Sequence, residues 1–255
     1  MATIKGFRRG LWFLFKWLFI IIILYHLWIL AHICWWINFN PSSSSFMESR
    51  LNVIQKKTPD AELMYQWVDY AKISNNLKRA VIASEDSKFV EHEGFDWEGI
   101  HKAYEKNKKR GKIVAGGSTI SQQLAKNLFL SGERSFLRKG EETIITFMLE
   151  NILSKQRIFE IYLNMIEWGN GVFGAEAASR YYFKTSAANL NSMQAAKLAA
   201  MIPNPRFYDS HKNTTYLNRR TTTIQARMPT SELPLVVKIP QKEPNNSSNK
   251  KKFIR

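Results

Sequence analysis

From Trp17 to Ile37 the chain reads WLFIIIILYHLWILAHICWWI, 21 residues without a single Asp, Glu, Lys or Arg. At about 1.5 Å of rise per residue a helix of this length spans roughly 30 Å, the hydrocarbon thickness of a bilayer. Such a run is hard to hide inside a domain that a 255-residue chain can build. A cleaved leader would have a shorter apolar stretch followed by small residues. This one ends in Cys34, Trp35 and Trp36, the aromatic pair expected at a membrane interface. The segment therefore predicts an uncleaved transmembrane anchor over 17–37.

Charge sets its direction. Lys5, Arg8, Arg9 and Lys16 precede the run, and the stretch NFNPSSSSFMES just after it has no Lys or Arg. Positive flanks stay cytoplasmic, so residues 1–16 are expected inside and everything from about 38 outside. In a bacterial host this means a single-pass protein of the cell inner membrane with a periplasmic domain. The net charge of +16 calls for an anionic partner: a membrane surface, a phosphate-bearing substrate or nucleic acid. An outward-facing domain argues against nucleic acid. Cys34, the lone cysteine, lies in the anchor and can form no intrachain disulfide. The five histidines (His26, His32, His92, His101 and His211) lack zinc-ligand spacing, so no protein-built metal site is expected.

Past the anchor, residues 38–47 with NPSSSS read as a flexible linker. Residues 48–220 carry helical periodicity and weak strand signals, with room for one short hairpin, and Gly169, Gly171 and Gly174 read as a turn-rich end. SNNLKRAVIASEDSKFV, ETIITFMLENIL and KQRIFEIYLNMIEW place apolar residues at helical spacing. NSMQAAKLAAMIPNP starts at an Asn191 or Ser192 cap and stops at Pro203 and Pro205. From 221 to 255 the chain turns polar and is expected to be a mobile tail.

Three constellations suggest chemistry. In GGSTISQQLAKN, Gly116 and Gly117 admit backbone conformations closed to other residues, and Thr119 with Gln122 fits a capping box. Gln122 with Lys126 and Gln123 with Asn127 then share one helix face. A helix N-terminus with a polar, cationic stripe suits phosphate or sugar. A capped surface helix is the plainer reading of the same residues. In SEDSKFVEHEGFD, a continuous helix would put Glu85, Phe89 and His92 on one side, where an acid beside an aromatic is desolvated toward its protonated form. An ordinary amphipathic helix explains the pattern equally. In ERSFLRKGEETIITFMLE, Arg134, Arg138 and Lys139 precede Glu141, Glu142 and Glu150; this is an anion site or, more commonly, ion pairing along a helix.

Taken in order, these segments resemble one family, the peptidoglycan glycosyltransferases, and within it the monofunctional, single-anchor members. The resemblance covers about residues 65 to 208. EDSKFVEHEGFD resembles the family's E-D-x-x-F-x-x-H-x-G-x-D motif, and GGSTISQQLAKN is nearly letter for letter its second. RKGEE is similar to R-K-x-x-E, SKQRIFEIYLN to K-x-x-I-L-E-x-Y-L-N, and AAKLAAMIPNPRFY to the last motif. Phe159 stands where Leu is usual, and Ser210 where a proline often follows. Neither touches a catalytic group implied by the family.

The resemblance implies a mainly α fold: a lysozyme-like helical lobe plus a small membrane-proximal lobe, where Phe129, Phe136 and Leu137 would meet lipid. It implies polymerisation of lipid II by inverting transfer, with Glu85 as general base and Glu142 as the second carboxylate beside the donor. Lys126, Arg134, Arg138 and Lys155 would hold diphosphate and sugars. Asp86, Ser118, Thr119, Gln122, Gln123 and Asn127 would form the substrate cleft. The implied partners are lipid II, the growing glycan strand, membrane lipid and the cell-wall synthesis machinery. No built-in cofactor is implied; a divalent cation, Mg²⁺ or Mn²⁺, is the accessory ion a diphosphate would take. After the last motif too little chain remains for a transpeptidase domain, so the monofunctional form is expected. A lytic enzyme would need an acid and no phosphate cations, and a dead scaffold would have lost Glu85 or Glu142.

Overall fold

The computed structural model describes residues 2–112, 116–130 and 135–235, with side chains from Gly10 onward. Eleven helices and three short strands are present among them. Helix α1 (Ala2–Trp35) contains a window, Gly10–Trp35, with mean hydropathy 2.2, long and apolar enough to cross a membrane. It begins before the predicted anchor and stops two residues short of Ile37.

What stops it is tertiary. Arg157 donates from Nε to the carbonyl of Trp36 at 2.8 Å, and from Nη2 to the carbonyl of Phe39 and Oδ1 of Asn40. A guanidinium on the last carbonyls satisfies groups that no helix can satisfy internally, and it opposes the negative end of the helix dipole. Ile29 and Ile33 are fully buried, and Trp28 and Trp36 lie against Phe129. Helix α1 is thus docked on the domain.

This overturns the flexible linker. Ser44 is buried and accepts from Met47 N as the N-cap of α2 (Ser45–Gln55). The serine run looks like a spacer because serine favours loops, but serine is also a leading N-cap, and a helix follows.

The body is helical around a single core. It comprises α3 (Asn75–Glu85), α4 (Trp97–Arg110), α5 (Ile120–Phe129), α6 (Phe136–Ile152) and α7 (Lys155–Met165), then α8 (Ala175–Phe183), α9 (Ser192–Met201), α10 (Pro205–Ser210) and α11 (Thr215–Arg227). Helices α3, α9 and α11 pack as one group, and α5 packs on α2, α6 and α7 as another. Phe89, Phe159, Tyr162 and Trp168 fill the centre. The caps expected at Thr119 and Asn191 are both full capping boxes. The expected hairpin is β2 (Glu167–Gly169) with β3 (Val172–Phe173), and β1 (Met64–Tyr65) adds to β3 in parallel. Asn164 works as a strand would: its amide accepts from Val68 N and donates to Val68 O, both at 2.9 Å.

Two expectations fail here. Residue 220 does not end the domain, because α11 runs through it with Leu217, Thr221 and Ile224 buried. Counting Thr221 as polar conceals a stripe at i, i+4 and i+7. Nor does one helix carry Glu85, Phe89 and His92: α3 ends at Glu85, and turns follow. Phe136 and Leu137 at the start of α6 are 98% and 88% exposed, whereas Phe129 is covered by the anchor's tryptophans.

Candidate active site

Three segments meet where α3 ends and α5 begins. Asp86 follows Glu85 directly and is buried. Its Oδ2 accepts from Ile120 N at 3.0 Å, capping α5 from outside. His92 lies 3.0 Å away through Nε2 and accepts from Gly94 N through Nδ1. That bonding makes Nδ1 the acceptor and Nε2 the proton donor to Asp86. Gly94 is at φ +90°, and a Cβ there would come within 2.9 Å of Thr146. The family-like histidine and aspartate therefore build the joint between two helices.

On the other side of the joint, Thr119 Oγ1 accepts from Gln122 N and donates to Gly94 O at 2.7 Å. Gln122 Oε1 accepts from Thr119 N at 3.1 Å. Gly116 and Gly117 do not use positive φ. Gly117 is instead a place of close approach, since a Cβ there would lie 3.2 Å from Cα of Ile100 in α4.

These elements enclose a cleft of about 400 Å³. Glu85, Asp86, Ser118 and Thr119 line it, with Ser84, Asp96, Arg227, Thr230 and Ser231. The Glu85 side chain is only 9% exposed. Its Oε1 accepts from Ser84 Oγ at 2.8 Å and lies 3.4 Å from Arg220 Nη2; its Oε2 accepts from Gln123 Nε2 at 3.2 Å. The orientation of Gln123 is set from behind: Tyr162 Oη donates to Gln123 Oε1 at 3.0 Å. Burial, together with the charges of Glu85 and Asp86, pushes the Tyr162 phenol well above its ordinary range, so it stays a donor. Gln123 must then turn its NH₂ toward Glu85.

The second carboxylate is held differently. Glu142 is buried and ion-paired with Arg138 (3.2 Å) and Lys139 on the preceding turn of α6. Lys139 Nζ also reaches Ser118 Oγ at 3.3 Å. Ser118 thus links the cleft to the cationic group. Of the two expected readings of this run, helical ion pairing is the one seen here.

The remaining predicted residues fall in three places. Lys126 shares the half-buried face of α5 with Gln123, one turn further on, while Gln122 and Asn127 are buried. Arg134 lies outside the described residues. Lys155 does not line the cleft: it pairs with Glu150 at 2.8 Å and stands 4.7 Å over the Phe89 ring. Glu150 in turn bonds Ser121, on the side of α5 away from Gln123. Sequence reasoning missed Ser84, Tyr162, Arg220 and Arg227. The helical stripe of 215–227 and the adjacency of Ser84 to Glu85 were there to be found; the contact of Tyr162 with Gln123 joins segments 39 positions apart.

Among the described residues, no group of three or more His, Cys, Asp or Glu side chains could hold a metal. The Glu142 oxygens face Arg138 and Lys139, so this donor set does not fit a protein-built cation site.

A lysozyme-like helical domain with one braced carboxylate at a cleft, and a second held between cations, defines a glycosyl-transfer enzyme. The chain belongs to the transglycosylase family: the family model described as Transglycosylase matches residues 52–229. It is 64% identical over 215 residues to the biosynthetic peptidoglycan transglycosylase of Methylobacillus flagellatus, covering 84% of this chain and 94% of that one. It is 59% identical over 230 residues to the protein of that name in Herminiimonas arsenicoxydans, covering 90% and 100%. With the one in Chromobacterium violaceum it shares 65% over 212 residues, covering 83% and 93%. The family match extends to 229, through α11, in keeping with a domain that continues past 220.

Proposed function

We propose that the protein polymerises lipid II into β-1,4-linked glycan strands of peptidoglycan, releasing undecaprenyl diphosphate, on the periplasmic side of the inner membrane. The observation that carries this is the unequal treatment of the two carboxylates. Glu85 opens on the cleft, while Glu142 is committed to two cations. Glycoside cleavage needs a carboxylic acid to protonate an alkoxide leaving group. A diphosphate leaves as a stable anion and needs positive charge instead. The names of the relatives supply the polymer and the biosynthetic direction.

In the proposed step the 4-hydroxyl of the acceptor GlcNAc attacks the anomeric carbon of the donor MurNAc. Its proton passes to Glu85. The bond from the anomeric carbon to the diphosphate oxygen breaks, the electron pair leaves with that oxygen, and the α-linkage becomes β. Lys126, Arg134, Arg138 and Lys139 are the cations proposed for the diphosphate, with Glu142 holding the last two in place. Asp86, Thr119 and Gln122 keep the cleft in shape, and Ser118 and Gln123 face the sugars. A divalent cation enters only as a counter-ion of the substrate diphosphate, and no step is routed through it. The apolar α1 would keep the enzyme beside its lipid-borne substrate, and the cell-wall synthesis machinery is the proposed setting.

The test is incubation of the purified full chain with labelled lipid II in detergent. Polymer is expected, and Glu85→Gln should lose about 10² to 10⁴ in rate with its fold intact, the usual contribution of a general base. Near-wild-type turnover in that variant would remove Glu85 from the mechanism.

A further inference from the structure

We infer that Arg220 is a positioning residue for Glu85, which makes α11 a wall of the catalytic cleft. This rests on the reading of Glu85 as the base. Glu85 is the last residue of α3, where the helix dipole disfavours a carboxylate, and it is largely withdrawn from water. Such a group needs a fixed cation. Arg220 is the one cation that ion-pairs with it among the described residues. The contact is made twice on the same side. Arg220 Nη2 donates to Ser84 Oγ at 2.9 Å; the one proton of Ser84 Oγ has Glu85 Oε1 at 2.8 Å as its nearer acceptor and the Ala199 carbonyl at 3.2 Å as the other; and Nη2 itself lies 3.4 Å from Oε1.

Among the described residues, the other groups hydrogen-bonded to Glu85 are neutral. Gln123 from α5 gives a neutral amide to Oε2, and Tyr162 from α7 stands behind that amide. Asp86 is occupied by His92 and Ile120 N. Asp96 and Arg227 line the cleft, with Asp96 capping α4 at Gly99. Arg220 therefore orients one carboxylate oxygen, leaving Oε2 with a single weak partner. Oε2 is the oxygen this arrangement assigns to the acceptor hydroxyl.

Four variants of the full chain test this on lipid II: Arg220→Met, Arg220→Lys, Glu85→Gln and the double variant Arg220→Met with Glu85→Gln. Arg220→Met should lower kcat about 10- to 100-fold, the scale of a misplaced reacting group, with KM little changed. Arg220→Lys should recover part of the rate. In the Glu85→Gln background, Arg220→Met should cost nothing further, since it acts through the carboxylate. Equal losses in both backgrounds overturn the inference while leaving the base in place. Full activity in Glu85→Gln overturns both. Should Arg220→Met not fold, as a thermal melt would show, Ser84→Ala takes its place: it keeps the guanidinium and removes the relay, and an unchanged kcat there is equally fatal.

Discussion

Two lysines with the same charge show how much a residue's meaning depends on its neighbours. Lys155 and Lys126 lie in motifs that imply the same role, yet Lys155 is spent on Glu150, whose side chain is 6% exposed. Removing one partner of a largely buried pair strands the other charge, at about 3 kcal/mol or more. For a domain of this size that is roughly a 10 °C loss in Tm. Lys155→Ala is therefore expected to be mainly a stability variant. Lys126→Ala should instead lower the rate of lipid II polymerisation with a smaller change in Tm. Lys250→Ala, in the polar C-terminal stretch, should do neither, since that stretch carries none of the residues proposed to hold the substrate. Melting curves and initial rates at one salt concentration decide this; equal rate losses for Lys126→Ala and Lys250→Ala would reduce the cations to general attraction.

Among the elements, α5 has the most depending on its first turn. Its N-cap Thr119 makes the reciprocal bonds of a capping box and also holds the Gly94 carbonyl. Both fix the backbone that carries Ser118 and Gln123. Thr119→Ala should cost about 1 kcal/mol for the lost cap, and the Gly94 carbonyl adds to that. Thr119→Ser, which keeps the hydroxyl, should recover most of the stability and the activity. A Thr119→Ser variant as impaired as Thr119→Ala would mean that the methyl group, not the cap, is what α5 needs. The box was legible because its two members, Thr119 and Gln122, are three residues apart along one chain. The end of α3 at Glu85 was not: it is decided by Asp86 turning away to cap a different helix.

At the scale of the whole molecule, the apolar helix α1 is docked on a helical domain. Ile29, Ile33 and Trp36 are buried, Arg157 holds the end of α1, and Ser44 caps α2. A version starting at Met47 loses all of these, roughly 5 kcal/mol of apolar burial alone at about 1.5–3 kcal/mol per large side chain. It should fold in detergent with a clearly lower Tm than the full chain. A version starting at Tyr25 keeps the docked half-turns, and should keep most of the Tm while polymerising membrane-borne substrate poorly, because the anchor sets the local concentration. Equal melting temperatures for the two truncations would show that the docking contributes no stability.

What the sequence determined by itself was local or periodic. The apolar run, the capping boxes at Thr119 and Asn191, the start of α7 after Ser154 and the five ordered motifs all depend on spacings of a few residues. A single chain carries those whatever its neighbours. The tertiary structure alone decided which carboxylate opens on the cleft, which lysine is tied to Glu150, that the serine run is a cap, and that Arg220 reaches Glu85 from 135 positions away. Those outcomes come from desolvation and ion pairing between distant segments. Such energies are set by distance and burial, and neither has a period along the chain.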